Sequence, residues 1–149
     1  MKTSKKIITI CSSASFYKDV LDITDQLKKS GYIVKIPKIA LTMRKNNDFN
    51  VDHYKTWFKD KNAFKIKKSL MDAHFKKVTE ADAILVVNEE KKGLRGYIGG
   101  NVLMEMTLAY YHKKPIFIWD MTDKKSSLYE EIIGINPIFI NKNLNNIKL

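Results

Sequence analysis

The sequence predicts an α/β fold: a five-stranded parallel sheet of flavodoxin-like, doubly wound order 2-1-3-4-5, covered by helices on both faces and forming a single domain. Three observations predict it. Short runs such as Ile7-Ile8-Thr9-Ile10, Ala83-Ile84-Leu85-Val86-Val87 and Ile116-Phe117-Ile118 are β-branched or aromatic without polar alternation, as strands buried on both faces are. These runs alternate with segments of helical periodicity, and right-handed crossovers then favour the 2-1-3-4-5 order. A length of 149 residues with 44% hydrophobic content suits one core that needs no staples.

Residues 6–11 read as the first strand, and Ser12-Ser13-Ala14-Ser15 as a loop that caps the following helix. In that helix Phe16, Val20, Ile23 and Leu27 recur at helical spacing, and Ser30-Gly31 ends it. Residues 32–36 form the second strand, stopped by Pro37. Residues 38–61 are the least regular part, polar with isolated aromatics at Tyr54, Trp57 and Phe58, and read as a lid. A helix over about 63–79 presents Phe64, Met71, Phe75 and Val78 on one side. The third strand, 83–87, ends at Asn88. The Gly99-Gly100 turn leads into a helix over about 101–112, with Asn101 as its cap. A fourth strand at 116–119, a short helix at 126–133 ended by Gly134 and a fifth strand at 137–140 complete the pattern. There is no internal repeat, and the only biased tract is the Asn/Lys-rich tail 141–148.

Net charge is +11, carried by lysine except at Arg44 and Arg95. Such an excess attracts anions of many kinds. The lysines are scattered, and neither zinc-finger spacing nor an aromatic ribonucleoprotein motif accompanies them, so a dedicated nucleic-acid binder is not the expectation. A single cysteine, Cys11, excludes a disulfide scaffold and fits a reducing compartment. The apolar segment behind the lysine-rich start is only about six residues, short for a leader or a membrane span, so a cytoplasmic protein is expected. No His/Asp/Glu spacing suggests a metal, and no cofactor is expected.

Chemistry concentrates after the third strand. Glu105 falls in the first turn of its helix and shares a face with Asn101, looking back at Gly99 and Gly100. In a 2-1-3-4-5 sheet the loops after strands one and three flank the ligand crevice, so Ser12 and Ser13 should face Asn88, Tyr97, Gly99, Gly100, Asn101 and Glu105. The serine hydroxyls suit a phosphate or a sugar hydroxyl, and plain helix capping is their alternative, as it is for Asn101. A carboxylate at this edge can act as a nucleophile on an anomeric carbon or as a general base. His74 admits a structural or a catalytic role. The run Lys91-Lys92-Gly93-Leu94-Arg95 offers cations for a phosphorylated ligand.

The order Ile10-Cys11-Ser12-Ser13, then residues 81–87, then Glu105-Met106-Thr107-Leu108-Ala109-Tyr110 before Lys114-Pro115-Ile116, resembles the nucleoside 2-deoxyribosyltransferase superfamily. That superfamily also includes the 2'-deoxynucleoside 5'-monophosphate N-glycosidases. The resemblance implies that Glu105 is the nucleophile that attacks C1' and expels the base, and that Ser13 contacts the ligand. Eight residues before Asp82, where the family carries a catalytic aspartate, this chain has His74, which can still supply a proton. Six residues before the nucleophile it has Gly99 in place of the aspartate that goes with nucleosides or the serine that goes with a 5'-phosphate, and Asn101 or Tyr97 stands in. The resemblance further implies a homodimer or larger oligomer whose neighbouring subunit completes the site, with Tyr110, Tyr111 and Trp119 as interface aromatics. A catalytically inactive nucleotide-binding or regulatory module is the rival reading. The Pro-Gly-Gly-x-Gly-Thr-x-x-Glu pattern of phosphoribohydrolases is absent.

Overall fold

Two strands form the middle of the sheet, and their composition explains why. In the computed structural model, which describes residues 3–149, β1 (Ile7–Ser12) and β3 (Ala83–Val87) are buried along almost their whole length. Around them stand β2 (Ile33–Lys35), β4 (Ile116–Ile118) and β5 (Ile138–Phe139), in the order β2-β1-β3-β4-β5 with every pairing parallel. The predicted architecture is the observed one.

Successive residues of β3 serve opposite faces, as a pleated strand requires. Ala83, Leu85 and Val87 join Ile8 and Ile10 under helix α1 (Tyr17–Lys29), which contributes Val20, Leu21, Ile23 and Leu27. Ile84 and Val86 join Cys11 on the other face. That face is covered by Val78 of α3 (Phe64–Glu80), Val102, Met106 and Ala109 of α4 (Gly100–Tyr111), and Ile132 of α5 (Tyr129–Gly134). Each fully buried aliphatic side chain contributes roughly 1.5–3 kcal/mol, so both layers are strongly held.

The segment read as irregular contains a helix, α2 (Lys38–Asn46), which buries Ala40 and Met43. Pro37 explains the error. It stops the second strand and also starts the helix, a position proline favours because it lacks an N–H to leave unpaired. Asn47 then closes α2 in the left-handed conformation. Arg44 of α2 pairs with Asp25 of α1 at 2.9 Å.

Three further readings are corrected. Phe64 is exposed and stacks edge-on with Phe58, and α3 buries only His74 and Val78, because Lys67, Leu70 and Met71 in its N-terminal half line an open cleft. Helix α4 begins at Gly100 with Gly99 at its cap, so Asn101 lies inside the helix and Glu105 in its second turn. Ser12 ends β1, and no side chain of the Ser12–Ser15 stretch caps a helix. No described helix is long and apolar enough to cross a membrane.

Candidate functional site

Glu105 is carried to the sheet by its neighbours. Val102, Met106 and Ala109 pack α4 onto β3 and β4, and Glu105 shares their inward side, so its carboxylate is drawn to the C-terminal end of β1 and is only 4% exposed. Its Oε1 accepts a hydrogen bond from Asn101 Nδ2 at 2.9 Å, and Asn101 Oδ1 in turn accepts one from Lys67 Nζ at 3.1 Å. The ammonium can only donate, so it fixes which end of the amide faces the carboxylate. The other oxygen, Oε2, is buried with no hydrogen-bond partner and lies 3.7 Å from His74 Nε2. Both ring nitrogens of His74 are likewise buried without a partner.

These surroundings set the charges. Burial pushes the Glu105 carboxyl up to about 7, against the opposing pull of the Cys11 thiol, the Lys67 ammonium and Asn101. Burial, aided by repulsion from Lys77, brings His74 down to about 4, so its ring is neutral at physiological pH. The Cys11 thiol is raised well above its ordinary value by burial and by the charge of Glu105. Cys11 is therefore a neutral neighbour and not a thiolate. Cys11, His74 and Glu105 bring a thiol, an imidazole and a carboxylate within 4.8 Å of one another. Donors of these types hold zinc elsewhere, but the nearby Lys67 and Lys77 ammonium groups act against a cation here.

Glu105 and His74 open onto a cleft of about 240 Å³ at the carboxyl ends of β1 and β3. Ser12, Ser13, Tyr97, Gly99, Gly100 and Asn101 line it too. Ser12 is already committed, since its hydroxyl donates to the Val87 carbonyl at 2.7 Å and ties β1 to β3. Ser13 accepts from Lys91 Nζ at 3.2 Å and faces the cleft. The first backbone N–H groups of α4 have no partner within the helix and sit at the same rim.

Asn88 lies elsewhere. It is fully buried, donates to the Gly96 and Asp120 carbonyls and accepts from the Asp120 N–H, which makes it a clamp between the loops after β3 and β4. Arg95 is paired with Asp120 at 2.8 Å, and Lys92 rests over the Tyr97 ring, so of that basic run only Lys91 lines the cleft.

Several lining residues escaped the sequence reading. Tyr54, Lys55 and Trp57 come from the segment between α2 and α3, which folds along the cleft's rim where a lid was expected. Lys67, Leu70, Met71, His74 and Lys77 all line the cleft from α3. Their spacing of three and four residues was a readable signal, since it places them on one face with His74. In comparison with known proteins, no family model matches the chain and no curated protein matches it significantly.

Proposed function

We propose that the protein cleaves or exchanges the N-glycosidic bond of a nucleoside or nucleoside 5'-monophosphate, with Glu105 as the nucleophile. The observation that carries this reading is the Glu105 carboxylate itself. One of its oxygens is oriented by Asn101, the other is buried without a hydrogen bond beside His74, and the residue lines a cleft at the carboxyl edge of the sheet. In the reaction Oε2 attacks C1', the bond from C1' to the base nitrogen breaks with its electron pair leaving on the base, and a glycosyl ester on Glu105 results. Water or a second base then displaces the carboxylate, so hydrolysis and transfer share the first half-reaction.

Displacement at C1' requires the proton donor on the side opposite the nucleophile. His74 touches the nucleophile's own oxygen and is neutral, which suits it to positioning Glu105 and not to protonating the base. Water in the cleft delivers that proton in this scheme. Ser13 and the α4 N-terminus suit the sugar or its 5'-phosphate, and Tyr97, whose ring meets Lys91 and Lys92, lines the same cleft.

The test is to incubate the protein with a panel of nucleosides and nucleoside monophosphates and separate free base by chromatography. Base release that disappears in Glu105→Gln is the expected result. Release at an unchanged rate in that variant overturns the assignment of Glu105, and ligand binding without any release assigns the chain instead to a nucleotide-binding module.

A further inference from the structure

Outside the cleft Arg44 pairs with Asp25, Lys68 with Asp72, Lys76 with Glu80, Arg95 with Asp120 and Lys142 with Glu89, while other lysines, such as Lys18, Lys35 and Lys124, stand apart on the surface without an ion pair among the described residues. The cleft instead gathers its unpaired lysines in one place. Lys38, Lys55, Lys67, Lys77 and Lys91 all line the cleft, and among the described residues none of them forms an ion pair. Neutral groups hold their ammonium ions instead. Lys67 donates to Asn101 and rests 5.5 Å from the Trp57 ring centre, Lys91 donates to Ser13 and rests 5.2 Å from that of Tyr97, and Lys77 donates to the Ile36 carbonyl. Lys55, Lys67, Lys77 and Lys91 are all half-buried. Lys55 also repels both Lys67 and Lys91, so these three form one cluster. Among the described residues the only acid on the cleft wall is Glu105.

Holding like charges together and partly out of water costs free energy that an anion between them would return. Charge decides which anion. Five ammonium groups against one carboxylate leave an excess of at least four positive charges when all five are protonated. A monophosphate ester carries about −1.5 to −2 at neutral pH and leaves much of that excess unmet, and each further phosphoryl group brings about one more negative charge. The cluster also has length. Lys91 sits at Ser13, at the end of β1, while Lys67 sits beside Asn101 on the α4 side of the same cleft, with Lys55 acting on both.

We propose that the cleft takes a nucleotide whose phosphate chain contains at least two phosphoryl groups, seated against Lys55, Lys67 and Lys91. The nucleoside half of this ligand rests on the glycosidic reading, whereas the phosphate half stands on the lysines alone.

Calorimetric titration of the full chain with inorganic pyrophosphate and with orthophosphate separates the two. It is run without divalent cations at about 0.1 M salt, where the screening length is ~10 Å and distant surface charges contribute little. Pyrophosphate should bind at least about tenfold more tightly than orthophosphate, and Lys55→Gln and Lys91→Gln should each lose most of that difference. Lys68→Gln removes the same charge from a pair outside the cleft and should leave both affinities within about twofold. Thermal melts of the variants establish that each is folded. Equal affinity for the two anions, or an equal loss in Lys68→Gln, overturns the proposal. Base release is measured on the same preparations. Release from nucleosides or monophosphates without pyrophosphate selectivity removes this proposal and leaves the glycosidic reading, while selectivity without release from any nucleotide does the reverse.

Discussion

As the nucleophile we propose, Glu105 answers two demands that conflict. A nucleophile must be ionised, yet burial among Val102, Met106 and Ala109 lifts its pKa to about 7. The Cys11 thiol, the Lys67 ammonium and Asn101 offset part of that penalty; Asn101 does so on Oε1, and Lys67 is bonded to the carboxylate only through Asn101. Activity should therefore fall as the pH drops below about 7, with half-maximal kcat/KM near that value. In Lys67→Met the loss of the ammonium should move that acidic limb to higher pH. A drop in activity with no movement of the limb would confine Lys67 to contacting the ligand. Burial also gives a stability prediction with a definite sign. The folded-state pKa of Glu105 is raised from 4.5, so its protonated form is favoured by folding and stability is lost as the pH rises toward and through about 7. Glu105→Gln removes that loss. Denaturant unfolding should show the variant more stable than the parent by on the order of 3 kcal/mol at pH 8, and by less than about 1 kcal/mol at pH 5. His74 acts in the opposite sense, since its pKa is depressed from 6.5 to about 4 and its contribution is lost as the pH falls through that window. It is present in both proteins and largely cancels in the comparison.

At the level of elements, the loop after β3 positions Tyr97 and the start of α4, and it is anchored by residues that do not touch the cleft. Gly96 has a φ of 61°, and a Cβ there would fall on the Met121 carbonyl oxygen and lie 2.9 Å from Asn88 Nδ2. Gly96→Ala should cost roughly 2–4 kcal/mol through strain and overlap, and Asn88→Ala should cost a similar amount through three lost buried hydrogen bonds. Melting temperature measures the cost, and a loss of activity in folded protein at low temperature measures the misplacement of α4. Gly99 and Gly100 stood out in the sequence, but neither needs to be glycine: Gly99 is extended, and a Cβ on Gly100 meets nothing within 4 Å. The glycine demanded by the backbone depends on the loop after β4, a contact 25 residues away that no local pattern encodes. The same distinction separates what was legible from what was not. The five strands were legible because burial on both faces writes itself as continuous apolar runs. Helix α2 was hidden because Pro37 serves two elements. Ser13, Tyr97 and Glu105 could be placed at the crevice because strand order puts the ends of β1 and β3 side by side. Cys11 and Lys67 could not, since they meet Glu105 only through tertiary packing.

For the whole molecule the informative element is α4, which carries large apolar side chains on its outer side as well as toward the sheet. Val102, Met106 and Ala109 face the sheet, while Met104, Tyr110 and Tyr111 on its outer side are 45%, 56% and 79% exposed. A surface helix of a lone domain carries a polar outer face, as α3 does with Lys65, Lys68, Asp72 and Lys76, so the outer face of α4 is suited to burial against another surface. We propose that a second copy of the chain supplies one by two-fold symmetry, with α4 meeting α4. Trp119, assigned to the interface from sequence, lies away from this outer face: its Nε1 donates to Glu89 at 2.8 Å and its ring, half-buried, packs against the core beneath α1. Two chains of net charge +11 repel one another, and this repulsion shapes the prediction. Sedimentation should find a species of twice 17.3 kDa whose population grows as salt is raised from about 0.05 to 0.5 M, because screening weakens the repulsion while apolar burial persists. Tyr111→Glu should shift the equilibrium to monomer with little change in the melting of the isolated chain, since that side chain is largely exposed and its ring meets that of His112 at the surface. A stable 17.3 kDa species that persists at high salt and remains catalytically competent would refute both the dimer and any sharing of the site between subunits.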